Sequence, residues 1–320
     1  MSEIATVILP FFGLIAFGFG ATRLMRLPAQ GVSGLNLFVY YFAMPAWFFQ
    51  LVATIPFQDI EHWSFLIATT FATYCAFAIA FSFGALLNRG NVPDATIEGL
   101  VGSYANIGYM APALTVAALG PPAGAATALV FAFDHAMLFT IVPLMMALGG
   151  TARTNGSTMG RDILRRVFLH PFILAAFAGL FVSAIGIAMP GPIDGILVFL
   201  SSAAPPVALF AVGASLAQKQ IGKVTLEMPI LLVVKLVVHP LIVYLLLSWI
   251  GGFDRTWLFA AVLMAALPPA ANVLALAQKY DSYREPSVTA IVLGAAASVV
   301  TITAAVALIF TDGLPLDPFN

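Results

Sequence analysis

The stretch from residue 266 to 281 reads ALPPAANVLALAQKYD. It lies in one of the most apolar regions of the chain, yet it holds adjacent prolines, Pro268 and Pro269, followed by Asn272. Proline removes a backbone donor and clashes with the carbonyl four residues earlier. It also pushes the residue before it out of the helical region. A plain buried helix would be damaged by this triplet. In hydrocarbon each unsatisfied backbone group costs several kcal/mol, so a break is tolerated only where protein or a polar cavity covers it. The stretch predicts an interrupted span beside something polar.

The surroundings are membrane-like. Of 320 residues, 61% are hydrophobic and 8% are charged, against roughly 25% charged in soluble domains. A spanning helix needs about 20 apolar residues. Ten stretches qualify: 4–24, 35–55, 64–87, 97–118, 123–147, 167–189, 194–218, 228–250, 257–278 and 286–311. Connections are short, and the longest, 149–166, is rich in Gly, Thr, Ser and Arg. The N-terminus lacks the positive n-region of a signal peptide, so it reads as mature chain and first span. The C-terminus carries no lipidation signal. One cysteine, Cys75, excludes an internal disulfide and a thiolate cluster.

Basic residues give an orientation. Arg23, Arg26, Arg89, Arg153, Arg161, Arg165, Arg166, Lys219, Lys223, Lys279 and Arg284 all follow odd-numbered spans. The other side holds Arg255 alone, against Glu3, Asp59, Glu61, Asp194, Asp254, Asp312 and Asp317. One missed or invented span would scramble this asymmetry. Both termini are therefore expected outside the cytoplasm.

The basic loop 149–166 divides the chain into halves, 1–148 and 167–320, of five spans each. An odd number per half makes two similar halves inverted relative to each other. Span 4, SYANIGYMAPALTVAALG, and span 9, MAALPPAANVLALAQKYD, each carry proline and asparagine mid-membrane. Spans 2 and 7 match in part, FAMPAWFFQLVA against AAPPVALFAVGASLA. Interrupted segments in matching places point to a transporter's substrate site. Asn106 and Asn272 supply donor and acceptor at the breaks. Each freed half-helix start carries roughly half a positive charge, and two such starts meeting at the midplane suit a small anion. Pro10, Pro45, Pro143, Pro171 and Pro240 read as ordinary kinks.

Other polar residues also lie in apolar runs. Asp134 and His135 sit in span 5, and Lys235 and His239 lie one helical turn apart in span 8. A buried charge in a membrane usually has a partner, and Asp134 with Lys235 is a candidate pair. Asp134 either carries a driving proton or locks spans 5 and 8 as a structural ion pair. Glu98 and His170 read as interfacial. Tyr104 and Tyr109 lie beside the first break and are candidates for lining its pocket. Gly13, Gly18, Gly20, Gly179 and Gly186 are expected at close helix contacts.

With these residues assembled, PPAANVLALAQKYD (268–281) resembles the late signature of the auxin efflux carrier family. NIGYMAPALTVAALG (106–120) is similar to the matching motif of its fourth span. The short central loop resembles that of the family's bacterial members. The resemblance implies an all-α polytopic protein of ten spans in two inverted five-span repeats, with spans 4 and 9 as broken crossovers. This is the architecture of bile-acid-type and sodium/proton exchangers. It implies a scaffold of spans 1, 2, 6 and 7 and a moving unit of spans 3–5 and 8–10. It further implies secondary transport of a small carboxylate, such as malonate or indole acetate, by an elevator motion across a bacterial inner membrane. By motif, Asn106, Gly108 and Pro112 form one crossover, with Tyr109 at its centre, and Pro268, Pro269 and Asn272 the other. Asp134, His135 and Lys235 are the residues expected at a coupling ion. A proton or sodium is that ion, in a symporter or an antiporter, and the architecture leaves room for a homodimer through the scaffold.

Other classes fare worse. No Walker A stretch exists, so ATP hydrolysis is not encoded. Asp134 has no paired acid, and no serine–histidine arrangement indicates an intramembrane enzyme. The histidines show no metal-ligand grouping, and nothing points to a cofactor or to nucleic acid. The alternative that keeps every feature is a transporter-like receptor or channel that binds a small carboxylate.

Overall fold

In lipid a backbone must satisfy its own polar groups, and helices do so within one segment. The computed structural model describes residues 2–54, 63–150, 161, 164–165, 167–187, 189–316 and 318–319. Most of the loop 149–166, including Arg153 and Arg166, lies outside them, as do Asp59, Glu61 and Asp317. In chain order the helices are α1 (Ser2–Met25), α2 (Ala29–Ala53), α3 (Trp63–Leu87), α4 (Val92–Ser103), α5 (Ala111–Leu119), α6 (Ala123–Leu148), α7 (Pro171–Ile185), α8 (Gly191–Ala217), α9 (Met228–Ile250), α10 (Arg255–Ala265), α11 (Ala271–Tyr280) and α12 (Arg284–Phe310). No strand occurs among the described residues. The protein is an all-α, polytopic membrane protein.

Seven helices, α1, α2, α3, α6, α8, α9 and α12, are long and apolar enough to cross a bilayer. The other three expected stretches are built differently. Residues 97–118 and 257–278 are each split into two helices, and 167–189 becomes the fifteen-residue α7.

The prolines explain several local features. Within α2 and α9, Val39–Ala43 and Val234–Val238 are π-helical. Each precedes a proline by one residue, Pro45 and Pro240. A proline cannot donate to the carbonyl four residues back and crowds it. The preceding amides, of Met44 and His239, instead reach five residues back to Val39 and Val234. Two expected kinks are therefore π turns, which often mark functional positions. Pro171 is no kink either: it opens α7, and the His170 ring caps that helix by accepting from the Phe172 amide at 3.3 Å.

The chain forms two compact units. The first comprises Met1–Trp63, Gly108–Leu129 and Phe168–Lys219; the second comprises Ser64–Ile107, Val130–Val167 and Gln220–Asn320. Within the first unit, α1 and α8 cross through glycines. A Cβ on Gly18 would overlap the Phe210 backbone, and one on Gly213 would overlap that of Ile15. Gly179 of α7 packs on the Phe49 carbonyl of α2, beside stacked rings of Phe48 and Phe172 at 5.3 Å. Gly13, Gly20 and Gly186 meet nothing within 4 Å, so three of the five expected contact glycines are not contacts. Gly213→Leu should destabilise the protein by about 3 kcal/mol, the upper end for overpacking, because the overlap is with rigid backbone, read as a lower melting temperature in detergent. An unchanged melting temperature would refute this crossing.

Within the second unit, α3 and α4 are in equally close contact. A Cβ on Gly99 would strike the Phe77 ring, and one on Gly102 would strike Ala80. Gly84 faces the Glu98 carboxyl, and Glu98 is wholly buried within the protein. Its Oε1 accepts from Asn88 Nδ2 at 2.8 Å.

Candidate functional site

The two interrupted segments meet inside the second unit. α4 ends at Ser103, and α10 ends at Ala265 ahead of the two prolines. Tyr104 and Ala270 are extended, at φ −79°, ψ 107° and φ −74°, ψ 147°. Ala105 and Pro269 lie opposite each other in an antiparallel bridge. The Asn106 amide donates to the Pro268 carbonyl at 2.9 Å, and the Ala270 amide donates to the Tyr104 carbonyl at 3.1 Å. These bonds flank the 105–269 pair, whose own amides do not point across the ladder. Proline at 269 therefore leaves no donor missing. Each break satisfies the other, which is how an unwound backbone persists where lipid would forbid it. Gly294 of α12 makes room for the crossing, since a Cβ there would sit 2.6 Å from Pro269 Cδ.

What the exchange leaves over is polar. The Asn106 and Asn272 side chains make no hydrogen bond among the described residues, and Asn272 is exposed. α11 starts at Ala271 with no side-chain cap. Its third amide, Val273, bonds the Ala270 carbonyl, but those of Ala271 and Asn272 have no partner among the described residues. A ten-residue helix thus presents its positive start, two amides and a carboxamide together. Of the remaining motif residues, Gly108, Tyr109 and Pro112 belong to the first unit. There Pro112 opens α5, and the Tyr109 hydroxyl lies 3.5 Å from the Asn36 carbonyl.

The intramembrane ionisable residues gather in the second unit too. Asp134 is 3% exposed and Lys235 0%. They form no direct ion pair; those among the described residues are Arg255–Asp312 and Arg284–Asp281. Two intermediates link them. Thr73 Oγ1 donates to Asp134 Oδ1 at 3.1 Å, and it lies 3.3 Å from His239 Nε2. His239 Nδ1 is 3.2 Å from Lys235 Nζ. Lys235 Nζ also donates to the Ala265 carbonyl at the end of α10. One assignment links lysine to acid: Lys235 donates to Nδ1, Nε2–H donates to Thr73, and Thr73 donates to Asp134, with the Thr69 carbonyl, 3.2 Å from the same hydroxyl, as its competing acceptor. The π turn Val234–Val238 carries Lys235, and His239 follows it directly. Against Asp134, Thr73, His239 and Ala265 lies a cavity of about 10 Å³, the threshold for one water.

His135 takes a different place. Its Nδ1 is 2.8 Å from the Tyr104 hydroxyl, which ties α6 to the first residue of the break. Tyr104 is 1% exposed, so its phenol faces this histidine rather than an open pocket. Sequence reasoning missed Thr73 and the Ala265 carbonyl. The signal for Thr73 was present, because Thr69 and Thr73 stand one turn apart on a single face of a largely apolar helix.

Comparison with known proteins adds two findings. A family model described as "Membrane transport protein" matches residues 3–306. A protein of Rhizobium meliloti (strain 1021) named "Putative malonate transporter" is 39% identical over 319 residues, covering 100% of both chains.

Proposed function

The chain belongs to the membrane transport family of the auxin efflux carriers, as a transporter rather than an enzyme, and on that premise we propose that it moves a small organic anion by secondary active transport. The observation that carries the reading is the uncapped polar start of α11, set where two interrupted segments hydrogen-bond each other. Asn106, Asn272 and the first amides of α11 would hold a carboxylate. The proline pair Pro268–Pro269 keeps that helix start in place. The roles the family motif gives Gly108, Tyr109 and Pro112 are part of the same proposal.

The substrate we propose is a small dicarboxylate such as malonate, on the strength of the full-length likeness to the Rhizobium protein of that name. The proposed topology is ten crossings as two inverted repeats in a bacterial inner membrane, with both termini outside the cytoplasm. Alternating access would come from an elevator movement of the second unit, which carries the paired residues 104–107 and 268–270, with residues 108–129 left to the first. Asp134 is the proposed proton-coupling group. Counterflow in proteoliposomes tests the class: vesicles loaded with unlabelled malonate should transiently concentrate labelled malonate. A receptor gives no such overshoot, and a channel gives simple equilibration.

A further inference from the structure

We propose that the Lys235 ammonium is a tethered cation filling a monovalent-cation site built into the second unit, so that the protein needs no sodium ion. The Ala265 carbonyl ends α10, one of four carbonyls that a helix end leaves without an internal partner and the negative end of its dipole. The Lys235 amine occupies that end and donates also to His239 Nδ1. Through Thr73 the same network reaches the Asp134 carboxylate. The helix-terminal carbonyl is an oxygen donor of the kind a small hard cation takes, and a hydroxyl and a carboxylate stand beyond His239 in the same network. Here a fully buried lysine supplies the positive charge instead.

Charge counting makes the exclusion of sodium physical. The buried set holds one acid and one base, and their charges cancel. Adding sodium would leave a net charge in a region of low dielectric, which is costly unless paired. The cavity beside Asp134, at about 10 Å³, offers room for no more than about one water. Removing Lys235 reverses both conditions: the set becomes net negative, and the volume of a butylamine chain opens against the Ala265 carbonyl. A free cation of the right size should then bind where the tethered one stood.

The first test reads melting temperature, so it does not depend on any substrate. Lys235→Ala in detergent should be stabilised by several degrees by sodium or methylammonium chloride over choline chloride, which is too large. Wild type should show no difference among the salts. Lys235→Met, neutral but space-filling, should not respond. The second test uses vesicles: wild-type counterflow should be unchanged when sodium is replaced by choline, and methylammonium should restore part of what Lys235→Ala loses. The inference is overturned if wild type requires or is stabilised by sodium, or if Lys235→Ala responds to the cations no more than Lys235→Met. Should Lys235→Ala not accumulate, sodium dependence of the wild-type melting temperature decides. Failure of malonate counterflow with the thermal results intact would sink the substrate and spare the cation site.

Discussion

Asn272→Ala should lose malonate binding by about 10- to 100-fold, and so should Asn106→Ala, with melting temperatures close to wild type. A hydrogen bond to a charged group contributes about 1.5–3 kcal/mol, and about 1.4 kcal/mol is tenfold in affinity. Neither side chain is spent on holding the fold. The structural bonds at the breaks are made by the Asn106 and Ala270 amides, which alanine retains. Asn272 is moreover exposed at the start of α11, so truncating it opens no core cavity. The double variant should bind no malonate measurable by calorimetry at millimolar concentration. Asn272→Asp is the sharper companion. It keeps shape and adds a negative charge at the helix start, where a carboxylate ligand would be repelled, and it should bind worse than alanine. Wild-type affinity in either alanine variant would remove the proposed site.

These outcomes rest on a feature that was partly visible in sequence. Adjacent prolines alone do not dictate a break, since Pro205 and Pro206 sit inside the continuous helix α8; the interruption after Ala265 was legible because prolines and an asparagine recur together at matching places in spans 4 and 9. The asparagine and proline of 106–112 predicted the second break for the same reason. How the breaks are satisfied could not be read. That depends on the pairing of Ala105 with Pro269, two residues far apart in sequence whose register no local pattern encodes. Helix interfaces were harder still. Glycine in a membrane helix marks either a close contact or nothing, and the sequence of Gly13 looks no different from that of Gly18. Only the partner backbone distinguishes them.

The charged residues show a further limit. Asp134 and Lys235 were recognisable as a candidate pair because each is expensive in lipid. Sequence could count their charges but not the distance between them. That distance is bridged by His239 and Thr73 together, and Thr73, whose cost of burial is small, draws little notice. The π turn matters for the same reason. Pro240 was legible as a disturbance, but its effect is to change the rotation of the helix just ahead of it, where Lys235 sits. Lys235 and His239 remain close enough to bond, at 3.2 Å, and Lys235 still reaches the end of α10.

The same network makes Asp134→Asn the second decisive variant. Asparagine keeps an oxygen that can accept from Thr73 Oγ1, so the hydrogen bond at 3.1 Å survives in form. What disappears is the ability to take up and release a proton. If Asp134 couples transport to protons, the variant should still exchange labelled for unlabelled malonate at equal pH. It should fail to accumulate malonate under a proton gradient. One pH unit is worth about 1.4 kcal/mol, so one proton moved with each anion at clamped zero potential supports about a tenfold concentration ratio. The expected result is a fall from about tenfold in wild type to unity in the variant. A purely structural Asp134 predicts the reverse pattern: exchange and melting temperature fall together, and whatever transport remains is still driven by the gradient. Thr73→Val separates the network from the acid. It removes the hydroxyl between Asp134 and His239 while preserving shape, so it should reduce accumulation more than exchange, and Thr73→Ser should restore it. Full accumulation in Asp134→Asn would leave the acid with no part in coupling, whatever it does for the fold.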